Sequence, residues 1–86
     1  MIVSAKILLV DDHPMFRGGV RSLLEEEGDL EIVGEASNGA EAVAKVRELS
    51  PDVVVMDITM PEVDGIQATR NIMTEFPDTK VIALSI

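Results

Sequence analysis

The 86-residue sequence contains no cysteine, which excludes disulfides, thiolate metal centres and cysteine nucleophiles. No apolar run approaches the roughly 20 residues that a membrane-spanning helix requires. The opening Met1-Ile2-Val3-Ser4-Ala5-Lys6 lacks the basic segment and cleavage site of a secretory signal, and a cytoplasmic location is expected. Positive charge is scarce: 7 Lys and Arg stand against 16 Asp and Glu, for a formal net charge of -9. Phosphate contact needs clustered basic side chains, so nucleic-acid binding by this segment is not expected. A phosphate-cradling loop is also missing. Where a G-x-G-x-x-G or P-loop would follow the first apolar run, the sequence has Asp11-Asp12-His13-Pro14, which argues against a nucleotide-binding enzyme. There is no internal repeat or low-complexity stretch. The length suits one domain, near the size where burial alone becomes marginal.

What is present is an alternation of strand-like and helix-like patterns. Residues 6–10 form an apolar run, followed by Phe16, Val20, Leu23 and Leu24 at helical spacing, with Pro14 in a first turn and Gly28 beyond the end. Gly18 and Gly19 inside that helix each cost about 1 kcal/mol relative to Ala, which predicts close packing against a neighbour. Residues 30–36 read as a second strand. Ser37 and Asn38 offer caps to a helix with Ala42, Val43, Val46 and Leu49 on one face, stopped by Pro51. Residues 53–56 form a short, wholly apolar third strand of the kind found at the centre of a parallel sheet. A loop over residues 57–65 then leads to a helix with Ile66, Thr69, Ile72, Met73 and Phe76 on one face, closed by Pro77-Asp78. Residues 80–86 read as a fourth strand. The βαβαβαβ order predicts a parallel sheet with right-handed crossovers and helices on both faces.

Acidic residues end two of these strands. Asp11 and Asp12 follow the first, and Asp57 follows the third. If the two strands are parallel neighbours, the carboxylates meet at the carboxyl edge of the sheet, where open α/β structures bind ligands. Like charges gathered in one crevice are costly unless a cation joins them. The oxygen-only donor set points to a hard divalent ion, Mg2+ first, and to chemistry that uses a carboxylate beside it.

Three segments together carry a family resemblance: Val10 through Arg17, Val33 through Ala42, and Pro51 through Pro61 with Asp64-Gly65-Ile66. They resemble the receiver domain of two-component response regulators, in the NarL/FixJ (LuxR-type) class, over about residues 6–85. The resemblance implies a flavodoxin-like α/β fold with strand order 2-1-3-4, the fifth strand and last helices of the family pattern being missing from residues 1–86. It implies that Asp57 is the phosphoacceptor, taking a phosphoryl group from a sensor histidine kinase or a small phosphodonor. Asp11 and Asp12 match the acid pair that holds Mg2+ together with Asp57, and the backbone carbonyl of Thr59 matches a further ligand. Ser85 matches the hydroxyl that hydrogen-bonds the phosphoryl group and acts as a switch.

The family also places a Lys at the end of a fifth strand, and none of Lys6, Lys45 or Lys80 matches it. The expectation is an incomplete N-terminal portion of a longer regulator that reaches DNA through a C-terminal helix-turn-helix. Association through an exposed fourth strand is expected as well. Such a module is a phosphoacceptor and not a turnover enzyme. An Asp-nucleophile phosphohydrolase typically needs a second Asp two residues after the first, where Thr59 stands here. A purely structural module would need no converging acids. His13 is expected to be an exposed loop residue without a chemical role, and Glu25-Glu26-Glu27 a solvated helix end.

Overall fold

The computed structural model describes residues 5–57 and 62–84. Its elements run β1 (Ala5–Val10), α1 (Pro14–Glu25), β2 (Leu30–Ala36), α2 (Gly39–Leu49), β3 (Val53–Asp57), α3 (Glu62–Glu75) and β4 (Lys80–Leu84). The strands form one four-stranded sheet in the order β2-β1-β3-β4, and every neighbouring pair is parallel. The expected α/β fold and strand order are both present. Residues 85–86 of the expected fourth strand lie outside the described residues.

Strand alternation assigns the two faces. Leu8 and Val10 of β1 and Val54 and Met56 of β3 share a core with Ala42 and Val46 of α2 and Ala68 and Ile72 of α3. Because successive strand side chains point to opposite faces, Ile7 and Leu9 belong to the other face, against which α1 packs. Both are buried, so β1 is apolar on both sides, as an interior parallel strand must be. Each such fully buried aliphatic side chain contributes about 1.5–3 kcal/mol.

Several local features differ from expectation. The third helix begins at Glu62 rather than after residue 65. Its buried stripe runs through Ala68 and Ile72, with Phe76 packing just beyond the helix end, while Ile66 and Met73 are 48% and 62% exposed. Met73 is one residue, and so about 100°, around the helix from Ile72, far enough to leave the core. On α1, Leu23 is likewise exposed. The expected close packing of Gly18 and Gly19 is absent: a Cβ added at either would meet nothing within 4 Å. The described structure offers no reason for these two glycines. By contrast, Gly34 is confined. The β1–β2 register shifts between Ile7 and Leu8, and a Cβ at Gly34 would lie 2.6 Å from Leu49 Cδ1.

Local bonds fix the helix ends. Asn38 caps α2 by accepting from the Glu41 N–H at 2.8 Å, an interaction worth about 1 kcal/mol. At the other end Ser50 sits in the left-handed region at φ 47°, with its N–H donating to the Val46 carbonyl at 2.9 Å. Glycine is the residue suited to that position. Ser50→Gly is therefore expected to raise stability by about 0.5–1 kcal/mol, visible as a higher midpoint in thermal unfolding; an unchanged or lower midpoint would show that Ser50 is not strained.

Candidate functional site

Parallel pairing brings the acids together. Val10 of β1 is in register with Met56 of β3, so Asp11 and Asp57, each one residue further on, lie side by side at the carboxyl edge. Strands so paired are about 4.8 Å apart. Asp11 is held in place by its own N–H, which donates to the Ala36 carbonyl of β2 at 2.9 Å. Asp11 and Asp57 are 3% and 2% exposed, and they are the buried charged side chains of the described core. Asp12 stands at the rim, partly exposed.

The chain turns sharply after Asp11. The His13 N–H donates to Asp11 Oδ1 at 2.6 Å, an Asx-type turn that leads into α1 with Pro14 in its first turn. Asp11 Oδ2 is buried with no hydrogen-bond partner among the described residues. Burial raises the Asp11 pKa; the His13 N–H opposes this, and the nearby charge of Asp57 adds to the rise. A carboxylate kept in such surroundings is a poor structural element and a good half of a cation site.

His13 is exposed, as expected from the sequence, and its ring also lies against the acids. Its side chain is 60% exposed, yet Nδ1 lies 2.8 Å from Asp12 Oδ1, 3.4 Å from Asp11 Oδ1 and 3.8 Å from Asp57 Oδ2. Asp11, Asp12, His13 and Asp57 each offer a donor atom within 4.8 Å of the others. The physical reason is the turn: the bond from the His13 N–H to Asp11 folds the backbone back and carries the ring over the carboxylates. A histidine directly following an acid pair at a strand end is the sequence signal that could have suggested it.

A second feature unforeseen from the sequence is Arg17. Its Nη1 donates to the Asp11 carbonyl at 2.8 Å and its Nε pairs with Glu35 at 2.6 Å. Arg21 pairs with the same Glu35 and with Glu25, so Glu25 is engaged in an ion pair and not simply solvated. Arg17 thus braces the backbone beneath the acids while Glu35 takes up its charge. Lys6 and Lys80 lie at the amino ends of β1 and β4, and Lys45 on α2, so no described Lys stands at the carboxyl edge with the acids. Thr59 and Ser85, the remaining expected site residues, lie outside the described residues.

Comparison with known proteins agrees with this arrangement. The response regulator receiver domain family matches residues 7–86. Response regulator protein VraR of Staphylococcus aureus is 45% identical over 83 residues, covering 96% of this chain and 40% of VraR. This chain therefore spans 40% of the length of such curated relatives. Among solved structures, a LuxR-family two-component response regulator from Aurantimonas sp. SI85-9A1 superposes with a TM-score of 0.89 at 41% identity, over 95% of this chain and 59% of that one. The response regulator domain of Thermotoga maritima CheB superposes at 0.87 with 40% identity, over 95% of this chain and 60% of that one. With the family match running over residues 7–86, this chain belongs to the response regulator receiver domain family.

Proposed function

We propose that Asp57 is the phosphoacceptor of this receiver domain, with Mg2+ as the cofactor, held by Asp11, Asp12 and Asp57. The observation that carries the proposal is the pairing of two buried carboxylates at adjacent strand ends, with Asp11 Oδ2 lacking a hydrogen-bond partner among the described residues. In the reaction, an Asp57 carboxylate oxygen attacks phosphorus and forms the acyl phosphate bond. The P–N bond of a phosphohistidine, or the P–O bond of acetyl phosphate, breaks, and its electrons leave with the imidazole or acetate. Mg2+, when bound, neutralises charge on the acids and on the transferring group.

The chain's own residues supply position. β3 presents Asp57, β1 presents Asp11, and the turn at His13 fixes the Asp11 carboxylate in one orientation. Thr59, through its backbone carbonyl, and Ser85, through its hydroxyl, complete the set that the family pattern assigns. The donor is proposed to be a sensor histidine kinase, and the longer protein to control transcription through a DNA-binding C-terminal domain. The module accepts and holds a phosphoryl group rather than turning substrate over. No described helix is long and apolar enough to cross a membrane, and a cytoplasmic location is part of the proposal.

Beryllofluoride, a mimic of the acyl phosphate, provides the test. Fluorine NMR is expected to show a bound species that forms in the presence of Mg2+ and disappears with chelator. Turnover of acetyl phosphate without a lasting adduct would indicate a phosphohydrolase, and the absence of both would leave a structural module.

A further inference from the structure

We propose that His13 is a fourth donor to the cation at Asp11, Asp12 and Asp57, and that its nitrogen makes the site favour Co2+ and Zn2+ over Mg2+. The inference rests on the reading that these carboxylates hold a divalent cation, and it adds the identity of the ion that they hold best.

The imidazole is placed as a ligand would be. Two donor atoms bound to one metal at about 2.0–2.2 Å lie about 2.8–3.6 Å apart at octahedral or tetrahedral angles. His13 Nδ1 meets this toward Asp12 at 2.8 Å and Asp11 at 3.4 Å, and misses toward Asp57 by a small margin at 3.8 Å. The ring has no competing task in the helix. His13 is the N-cap residue of α1, with extended backbone, and its side chain makes no capping bond. It lies back over the carboxylates instead.

A second observation, independent of the histidine, points to a ligand. Asp11 is 5% exposed in its side chain, and its Oδ2 has no hydrogen-bond partner among the described residues. A buried carboxylate oxygen so placed demands a cation or a donor. His13 Nδ1 offers one polar atom near the cluster but stands 3.4 Å from the other oxygen, Oδ1, so it does not meet that demand by itself.

Donor chemistry then selects the ion. Three carboxylates alone suit Mg2+, which binds oxygen and keeps most of its water. One imidazole nitrogen beside them shifts preference toward Co2+ and Zn2+, which accept nitrogen readily and stand above Mg2+ in affinity for mixed nitrogen and oxygen sites. Mg2+ gains little from the ring. Removing the ring should therefore separate the two kinds of ion.

The test titrates the full 86-residue chain and His13→Ala with Mg2+, Co2+ and Zn2+. His13 is the only histidine, so its ring nitrogen resonances are unambiguous reporters. Zn2+ is expected to shift Nδ1 specifically, Co2+ to develop visible absorption that excess Mg2+ removes, and both ions to bind more tightly than Mg2+. In His13→Ala, Co2+ and Zn2+ affinity should fall about tenfold or more and Mg2+ affinity much less, with circular dichroism showing that the variant is folded. Equal losses for all three ions would make His13 a positioning residue for the loop and overturn the inference. Unchanged Co2+ and Zn2+ affinity, or an unmoved Nδ1 resonance, would overturn it as well. If wild type binds Mg2+ and shows no preference for Co2+ or Zn2+, the inference fails and the proposed function stands. If it binds none of the ions, both fail.

Discussion

Asp57→Asn is expected to lose phosphorylation completely. After incubation with acetyl phosphate and Mg2+, intact mass should show one added phosphoryl group on the wild-type chain and none on the variant. The amide has nearly the shape of the carboxylate but lacks its nucleophilic charge, so the loss is chemical and not steric. Folding should survive, since the substitution removes one of two buried like charges and leaves β3 intact. Circular dichroism would confirm this beside the mass measurement. The added group brings roughly two negative charges in place of one, and the described site has no Lys to meet them. Uptake in this chain should accordingly be slow. A phosphoryl adduct that persisted in Asp57→Asn would place the acceptor elsewhere and sink the assignment.

Asp11→Asn should have two opposite effects. Without metal at neutral pH it is expected to raise the thermal midpoint by about 5 °C, the scale of a 1 kcal/mol gain in a domain of this size. With Mg2+ the order reverses. A ligand at 100 times its Kd stabilises the folded state by about 2.7 kcal/mol, and the variant should gain almost none of this. Both effects follow from burial of the Asp11 carboxylate, which pushes its pKa above the ordinary value of 3.8, with the Asp57 charge acting in the same direction. The sign of the pH dependence is fixed by that shift. The folded chain holds the Asp11 proton more tightly than the unfolded chain, so this group favours folding fully below pH 3.8 and loses that contribution as pH rises through the raised folded value. At neutral pH the ionised group is a burden that Asn, or a bound cation, relieves. Denaturant melts of both proteins with and without Mg2+, from pH 4 upward, would check it. A variant less stable than wild type in the absence of metal would show that the charge is not a burden.

Ligation by His13 and strain at Ser50 are smaller effects in different places, and they illustrate how far composition and spacing reach. The runs at residues 7–10 and 53–56 were legible because interior parallel strands must be apolar on both faces, and few other structures demand that. The acids after them were legible as a site because parallel pairing leaves both at one edge. The face of α3 was less so. Ile66, Ile72, Met73 and Phe76 are all apolar, and residue type alone does not say which part of a wide stripe the sheet covers; Ala68, small, is buried in the core that α2 and α3 share with the sheet.

Strand type, helix spacing, the family and the three acids were determined by the sequence itself, because each depends on residue type and order along the chain. The tertiary structure alone decided where charged side chains of middling exposure point. His13 bends over Asp11 and Asp12 through one backbone hydrogen bond, and Arg17 reaches the Asp11 carbonyl while Glu35, on another strand, holds its charge. Such contacts join residues whose separation in sequence carries no periodic signal. Their energies, about 1 kcal/mol each or less where solvent reaches them, are too small to shape a recognisable pattern of residue types, and they exist only once the sheet has set the distances.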